Sequence, residues 1–362
     1  MALVVVLLLV PAFWSIGRAL AVPGTDSVAA RLAEWARGHG LAAVVTWAEK
    51  ATYKPPKVGG LPSAGSPLGS HGLGLGPTGA AVGAPASTLP AAIVPLASPA
   101  LPHEGQWTVL ARVHGQPAMA AAFVRPDAVH TSYVSGIVWF DPRLVRAELH
   151  PGTEQPGGSG WSQPSSLAPN RRTGLLAAFN SGFRITESRG GYYEDGRYAA
   201  PLRAGIASMV FGRDGTLTVG QWGRDVRLTP GVAAVRQNLA LLLDGGRIVP
   251  GVADNAHLAW GATLGNALYV WRSGIGVTSA GDIVYAAGNR LSASTLAELL
   301  RRAGCMRAME LDINPEWTSF VRYLPAPGSG APQPVNLLPD MQQPAYRYDT
   351  TSSRDFVALY AR

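Results

Sequence analysis

The chain has 362 residues, 47% of them hydrophobic and 15% charged, which is ample for a large buried core and too apolar for a charged disordered protein. Its net charge of +7 rests on scattered arginines and only three lysines, Lys50, Lys54 and Lys57; with no basic stripe, no nucleic-acid partner is expected. Cys305 is the single cysteine, so a disulfide within the chain and a cysteine-based metal site are both excluded, and it reads as buried packing between a helix and a strand.

Ala2 to Trp14 is almost wholly apolar, interrupted by Pro11. A spanning helix needs roughly 20 residues, so the stretch is short for one. It suits the apolar region of a signal peptide, and Ala19-Leu20-Ala21 resembles a cleavage site, although no basic residue precedes it. Residues 1–21 are therefore expected to be a signal peptide or a membrane anchor, with a buried N-terminal helix as the plain alternative. Either form of export would leave the remainder at the extracellular face of the cell membrane or secreted.

Residues 22–54 carry helical spacing. Val28, Leu32, Trp35 and Ala36 form one stripe, Thr25 or Asp26 caps it, His39-Gly40 breaks it, and Leu41 to Ala51 resumes. This reads as a pair of juxtamembrane helices, giving the chain a membrane partner through its N-terminus. Residues 55–103 are rich in Gly, Pro, Ala and Ser with little charge, and read as a linker in which His71 does no chemistry.

From residue 104 to 362 the pattern is β-rich. Trp107 to Val113 and Ala118 to Val124 form a hairpin about His114-Gly115. Further strands are expected at Tyr133 to Phe140, Leu144 to Leu149, Leu175 to Phe179, Ala207 to Phe211, Leu217 to Gly220, Gln237 to Leu243, Leu268 to Arg272, Ile283 to Ala287 and Phe356 to Tyr360. Thr295 to Ala303 reads as a helix stopped at Gly304. The fold class expected is α+β, a large mixed sheet with few helices.

The segment Ala308 to Asn314 alternates strictly. Met309, Leu311 and Ile313 lie on one face, and Glu310, Asp312 and Asn314 on the other. The polar face either lines a cleft or is the solvated side of an edge strand. Other polar residues recur beside glycines near strand ends: Asn180-Ser181-Gly182, Gln237-Asn238, and Arg272-Ser273-Gly274 with Gly276. Such glycines let backbone approach a ligand, though Asn-Ser-Gly is also plain turn chemistry. There is no P-loop, nucleophile elbow or histidine-based zinc motif, and His257 reads as a structural loop residue. No cofactor is required; a divalent cation at Asp312 and Asn314 is the one metal reading left open, without EF-hand spacing to support it.

Five pieces, taken together and in order, resemble the phosphodiester glycosidase family. They are Ala178 to Phe183; Gly190-Gly191-Tyr192-Tyr193 with Gly196; Arg236 to Leu239; Trp271 to Gly276; and Ala308 to Asn314. They span Leu175 to Trp317; the N-terminal segment, helices and linker lie outside the resemblance. It implies hydrolysis of a sugar-1-phosphodiester at the anomeric carbon, with a glycan or sugar-phosphate as partner. A phosphate monoester leaves readily, so binding the phosphate and stabilising a cationic sugar matter more than acid assistance. The resemblance implies Glu310 and Asp312 as catalytic carboxylates with unassigned roles. Arg272, with the backbone N–H groups of Ser273 and Gly274, would meet the phosphate, and Asn180, Ser181, Gln237, Asn238 and Asn314 would hold the substrate. Residues i and i+2 on a strand lie roughly 6.5–7 Å apart, which leaves retention and inversion both open. A non-catalytic phosphoglycan-binding domain of the same fold is the alternative.

Overall fold

The computed structural model describes residues 11, 13–69, 89–254, 259–261, 268–325 and 331–362. His71, His257 and most of the apolar stretch from Ala2 lie outside the described residues. Among the described residues eighteen short strands assemble into three sheets. The eight-stranded sheet runs β1 (Thr108–Val113), β2 (Gln116–Val124), β3 (Ser135–Phe140), β14 (Ile283–Leu291), β13 (Val270–Thr278), β15 (Cys305–Glu310), β11 (Leu241–Asp244) and β12 (Arg247–Ile248). A five-stranded sheet runs β7 (Arg197–Ala200), β6 (Tyr192–Glu194), β10 (Val232–Gln237), β8 (Ala207–Gly212) and β9 (Leu217–Gln221). The other five-stranded sheet runs β17 (Gln333–Asn336), β16 (Phe320–Leu324), β5 (Leu175–Asn180), β18 (Phe356–Ala361) and β4 (Val145–His150).

Every pairing between these strands is antiparallel, so the expected single mixed sheet is corrected to three antiparallel ones. The fold is mostly β with few helices: beside the helical residues 13–20, those described are α1 (Val28–Gly38), α2 (Ala42–Thr52) and α3 (Ala293–Arg302). None of the described helices is long and apolar enough to cross a membrane.

One core lies where the three sheets meet, joining Phe179, Tyr192, Met209, Tyr285, Met309, Phe320 and Leu359. The opposite face of the eight-stranded sheet is covered by α3. Ser292 caps that helix by accepting from Thr295 N at 3.0 Å, and Leu296, Leu299 and Leu300 fall on its buried side at helical spacing. Burying each leucine contributes about 1.5–3 kcal/mol. Glu298 pairs with Arg301 and Arg302 in the last turn.

This close cover explains the largest departure from the sequence reading. Ser273 to Gly276 is no strand-end loop; it is the middle of β13, paired on both sides with β14 and β15. A Cβ on Gly274 would stand 3.1 and 3.2 Å from Leu300 Cδ1 and Leu296 Cδ2, so the glycine is there to admit the helix, and its N–H groups serve the sheet. Gln237 to Leu243 also divides. Leu239, at φ +55°, turns the chain out of β10 and into β11 of a different sheet. The short strands β6, β7, β16 and β17 carry too few alternating positions to announce themselves. Both described ends of the 55–103 stretch lie on the domain: Gly59 N donates to Val129 O, and Ile93 and Ala97 are buried.

Candidate functional site

Three strand ends open side by side. β5 ends at Asn180, whose register partner is Phe356 at the start of β18, and β15 ends at Glu310. The segments leaving them are tied by backbone bonds: Asp312 N to Ser181 O at 2.8 Å, Ser181 N to Asp355 O at 3.2 Å, and Leu311 N to Ser273 O at 2.9 Å. They enclose a cavity of about 630 Å³ walled by Phe183, Arg184, Glu187, Asp312, Asn314, Trp317 and Arg354. Glu34 and Arg37 of α1 and Glu49 of α2 close it from above.

Asp312 is the one expected acid that reaches this cavity. Its Oδ1 accepts from Ile313 N at 2.9 Å, and its Oδ2 stands 3.4 Å from Arg354 Nη1. Burial pushes its carboxyl up to about 7, against the pull of Arg354 and with some help from the charges of Glu187 and Glu34. Arg354 is itself fixed from beneath, its guanidinium carbon lying 4.3 Å from the Trp317 ring centroid.

Glu310 is placed differently. It is fully buried and pairs with an equally buried Arg272, Nη1 to Oε1, at 2.5 Å. Arg272 also donates to Leu291 O at 3.0 Å and Leu268 O at 3.3 Å. Burial raises the Glu310 carboxyl and Arg272 opposes the rise. Neither side chain lines this cavity: the structure sets Arg272 and Glu310 together as a buried pair behind it and, of the two expected acids, puts only Asp312 on its wall. β15 stops at Glu310, and the extended chain beyond it carries Asp312 out of the sheet and into the cleft.

The amides expected to hold sugar are brought to the same place but bond within the protein. Asn180 donates to Ser273 Oγ at 2.9 Å and accepts from Tyr285 Oη at 3.0 Å and Ser319 N at 3.1 Å. Ser273 Oγ donates to Asp312 O at 2.8 Å. Asn238 donates to Glu310 O at 2.8 Å and accepts from Phe183 N at 3.3 Å. Gln237 turns away, accepting from Gly191 N at 2.9 Å and Arg203 N at 2.8 Å. Ser181 is 1% exposed and contributes backbone. Ser181, Asn238 and Ser273, the last held by Asn180, form the scaffold that holds the 310–314 segment in place, and Gln237 takes no part in it. Asn314 does line the cavity, with φ +79° and its Oδ1 accepting from Glu316 N at 2.9 Å. Among the described residues no group of three or more His, Cys, Asp or Glu side chains could hold a metal ion. Cys305 is 1% exposed packing whose thiol burial pushes up.

Arg184, Glu187, Trp317, Arg354 and Glu34 were not singled out from the sequence. Arg184 and Glu187 come two and five residues after the Asn-Ser-Gly cluster, and Arg354 stands two before β18. The pairing of β5 with β18 brings Arg184 and Glu187 to Arg354, that of β5 with β16 brings Trp317, and the anchored start of α1 brings Glu34, none of which a local pattern announces.

No protein-family model matches the chain, and no curated protein matches it either. Among solved structures it is similar to the zebrafish N-acetylglucosamine-1-phosphodiester alpha-N-acetylglucosaminidase catalytic domain, at 14% identity and a TM-score of 0.45 over 71% of this chain and 88% of that one. It is also similar to a hypothetical protein from Synechocystis, at 13% identity and a TM-score of 0.40 over 69% of this chain and 63% of that one. Likenesses this distant carry no weight in the functional reading, which takes its reacting group from the cleft and its substrate class from the resemblance in the sequence.

Proposed function

We propose that the chain is a hydrolase that cleaves the glycosidic bond of sugar-1-phosphodiesters, with Asp312 as the reacting carboxylate. The observation that carries this is a buried acid, pushed up to about 7, opening with an arginine beside it onto a 630 Å³ cavity. In this reading water attacks the anomeric carbon and Asp312 takes its proton. The bond from that carbon to the phosphate oxygen breaks, and the phosphate monoester leaves as an anion needing little protonation. Glu187, exposed on the cavity wall, is the second carboxylate available to a cationic sugar. Asn314 supplies polar contact to the substrate.

Export and attachment to a membrane belong to the same proposal. They are supported by the outward apolar residues of α2 and its approach, Leu41, Val44 and Trp47, which stand 43%, 59% and 70% exposed beside the chain's three lysines. One observation favours the second reading, a phosphoglycan-binding domain without turnover: Glu310, the expected partner acid, is closed off from the cavity. The test is release of sugar and phosphate monoester from a model sugar-1-phosphodiester by the full chain. Release that Asp312→Asn lowers by about 10²–10⁴-fold supports the hydrolase; tight binding with no release supports the binding domain.

A further inference from the structure

We propose that Arg184 and Arg354 form an anion subsite for a tetrahedral phosphate group, that of a phosphodiester substrate or its monoester product, and that Glu34 of α1 occupies it in the described form. The proposal takes the identity of its ligand from the hydrolase reading of the same cleft; the subsite itself rests on geometry.

Both guanidinium groups point at one oxygen. Glu34 Oε2 lies 3.1 Å from Arg354 Nη2 and 3.4 Å from Arg184 Nε. Yet the fit is incomplete. Arg184 Nε is buried with no hydrogen-bond acceptor among the described protein groups, and Arg354 Nη1, equally without a hydrogen bond, has Asp312 Oδ2 beside it at 3.4 Å. A carboxylate brings two oxygens in a plane, from one direction. A phosphate brings oxygens in three dimensions and up to two charges, so it can meet both arginine forks where Glu34 only approaches them. An unmet N–H in a buried site costs about 1–3 kcal/mol, which leaves a better ligand something to gain.

The subsite is built, since a third arginine fixes its spacing. Arg236, fully buried, donates to Phe183 O, the residue before Arg184, and to Asp355 Oδ2 at 2.6 Å, the residue after Arg354. One side chain thus ties the backbone just before Arg184 to the side chain of the residue just after Arg354. Trp317 sets the plane of Arg354 from below, and Asp312 stands 3.4 Å from the far side of the same guanidinium. Phosphate held here would lie next to the carboxylate that does the chemistry.

Glu34, by contrast, is a removable occupant. It rides on a helix with no buried residue, whose start is pinned by Asp26 to Ser353 and by Ser27 N to Glu316 Oε1 at 2.6 Å. The hairpin is tied at its far end too, where Lys54 O accepts from Arg290 Nη1 at 2.8 Å and Tyr53 packs on the cluster of Phe183 and Ile313; between these anchors Glu34 meets the domain through the two arginines. The neighbouring Arg37 pairs within the hairpin, with Glu49 at 2.6 Å and Glu34 at 3.6 Å, and so leaves with it.

Calorimetric titration of the full chain with inorganic phosphate tests this. Removing the competing carboxylate by Glu34→Gln should tighten phosphate binding about tenfold, the equivalent of one charge-assisted contact. In that background Arg184→Gln and Arg354→Gln should each cancel the gain, while thermal melting confirms that the chain is folded. Arg184, the more exposed of the two, carries the test should Arg354→Gln fail to fold. Phosphate affinity that ignores Glu34→Gln, or that survives Arg184→Gln, overturns the subsite. Because the readout is equilibrium binding, a chain that hydrolyses nothing can still show it, so the failure of the hydrolase reading and the failure of the subsite are told apart.

Discussion

Glu310 and Asp312 are separated by one residue, and each faces an arginine. Glu310 meets Arg272 at 2.5 Å, both fully buried, with Arg272 further tied to the carbonyls of Leu291 and Leu268. Asp312 meets Arg354 at 3.4 Å, on the wall of a cavity, and shares that arginine with Glu34. The first pair has no room for a ligand; the second is loosely matched and competes for its cation. Each acid keeps one oxygen without a hydrogen-bond partner, but only Asp312 stands on a cavity, where that oxygen has capacity left for chemistry; the closed pair is a structural element.

The sharpest way to break this contrast is to remove one partner of the closed pair. Glu310→Gln leaves Arg272 buried and uncompensated, and should cost about 3–5 kcal/mol of stability in chemical denaturation. Turnover per folded molecule should hardly change. A variant as stable as the original chain would deny the pair its structural role.

Burial raises both carboxyls, Glu310 as well as Asp312; at the cleft, however, Arg354 keeps Glu34 as a second partner, so removing the acid there leaves no bare cation and the opposite outcome is expected. The folded state holds the Asp312 carboxyl at about 7, above the unfolded value near 3.8. As pH rises the unfolded chain releases this proton first, so the contribution of Asp312 to stability is fully present below about pH 4 and is lost between about pH 4 and 7. Asp312→Asn should therefore equal the original chain in acid and exceed it at pH 8, by on the order of a few kcal/mol. A constant difference across that range would mean that Asp312 is ionised throughout.

A smaller effect separates scaffold from ligand contact. Asn238→Ala removes a bond to Glu310 O and another from Phe183 N, and should cost about 1–3 kcal/mol of stability with little change in KM. A large rise in KM at unchanged stability would restore Asn238 to the substrate.

The sequence made some of this legible and hid the rest for physical reasons. The run from Thr295 to Ala303 and its Gly304 stop announced α3, while its start, at Ala293 behind the Ser292 cap, was not read from the sequence. The alternation from Met309 to Ile313 marks a strand, but the eight-stranded sheet is covered on both faces, so its polar face is buried with the apolar one and Glu310 never meets the cleft. The glycines of 273–276 looked like ligand-binding backbone; the same residue type answers the close approach of a helix. Arg184, Trp317 and Arg354 lie far apart along the chain and meet only through antiparallel pairing of β5 with β18 and with β16. The clusters around Asn180, Asn238 and Arg272 did converge, as the scaffold around the segment that carries Asp312.

The central claim is that chemistry sits on Asp312 and leaves Glu310 out. It is tested most directly by turnover of a model sugar-1-phosphodiester, measured side by side for the original chain, Asp312→Asn and Glu310→Gln, each normalised to folded protein. A loss of about 10²–10⁴-fold in kcat for Asp312→Asn, with near-original kcat for Glu310→Gln, is the predicted result. Equal losses in the two variants, or full turnover in Asp312→Asn, would contradict it.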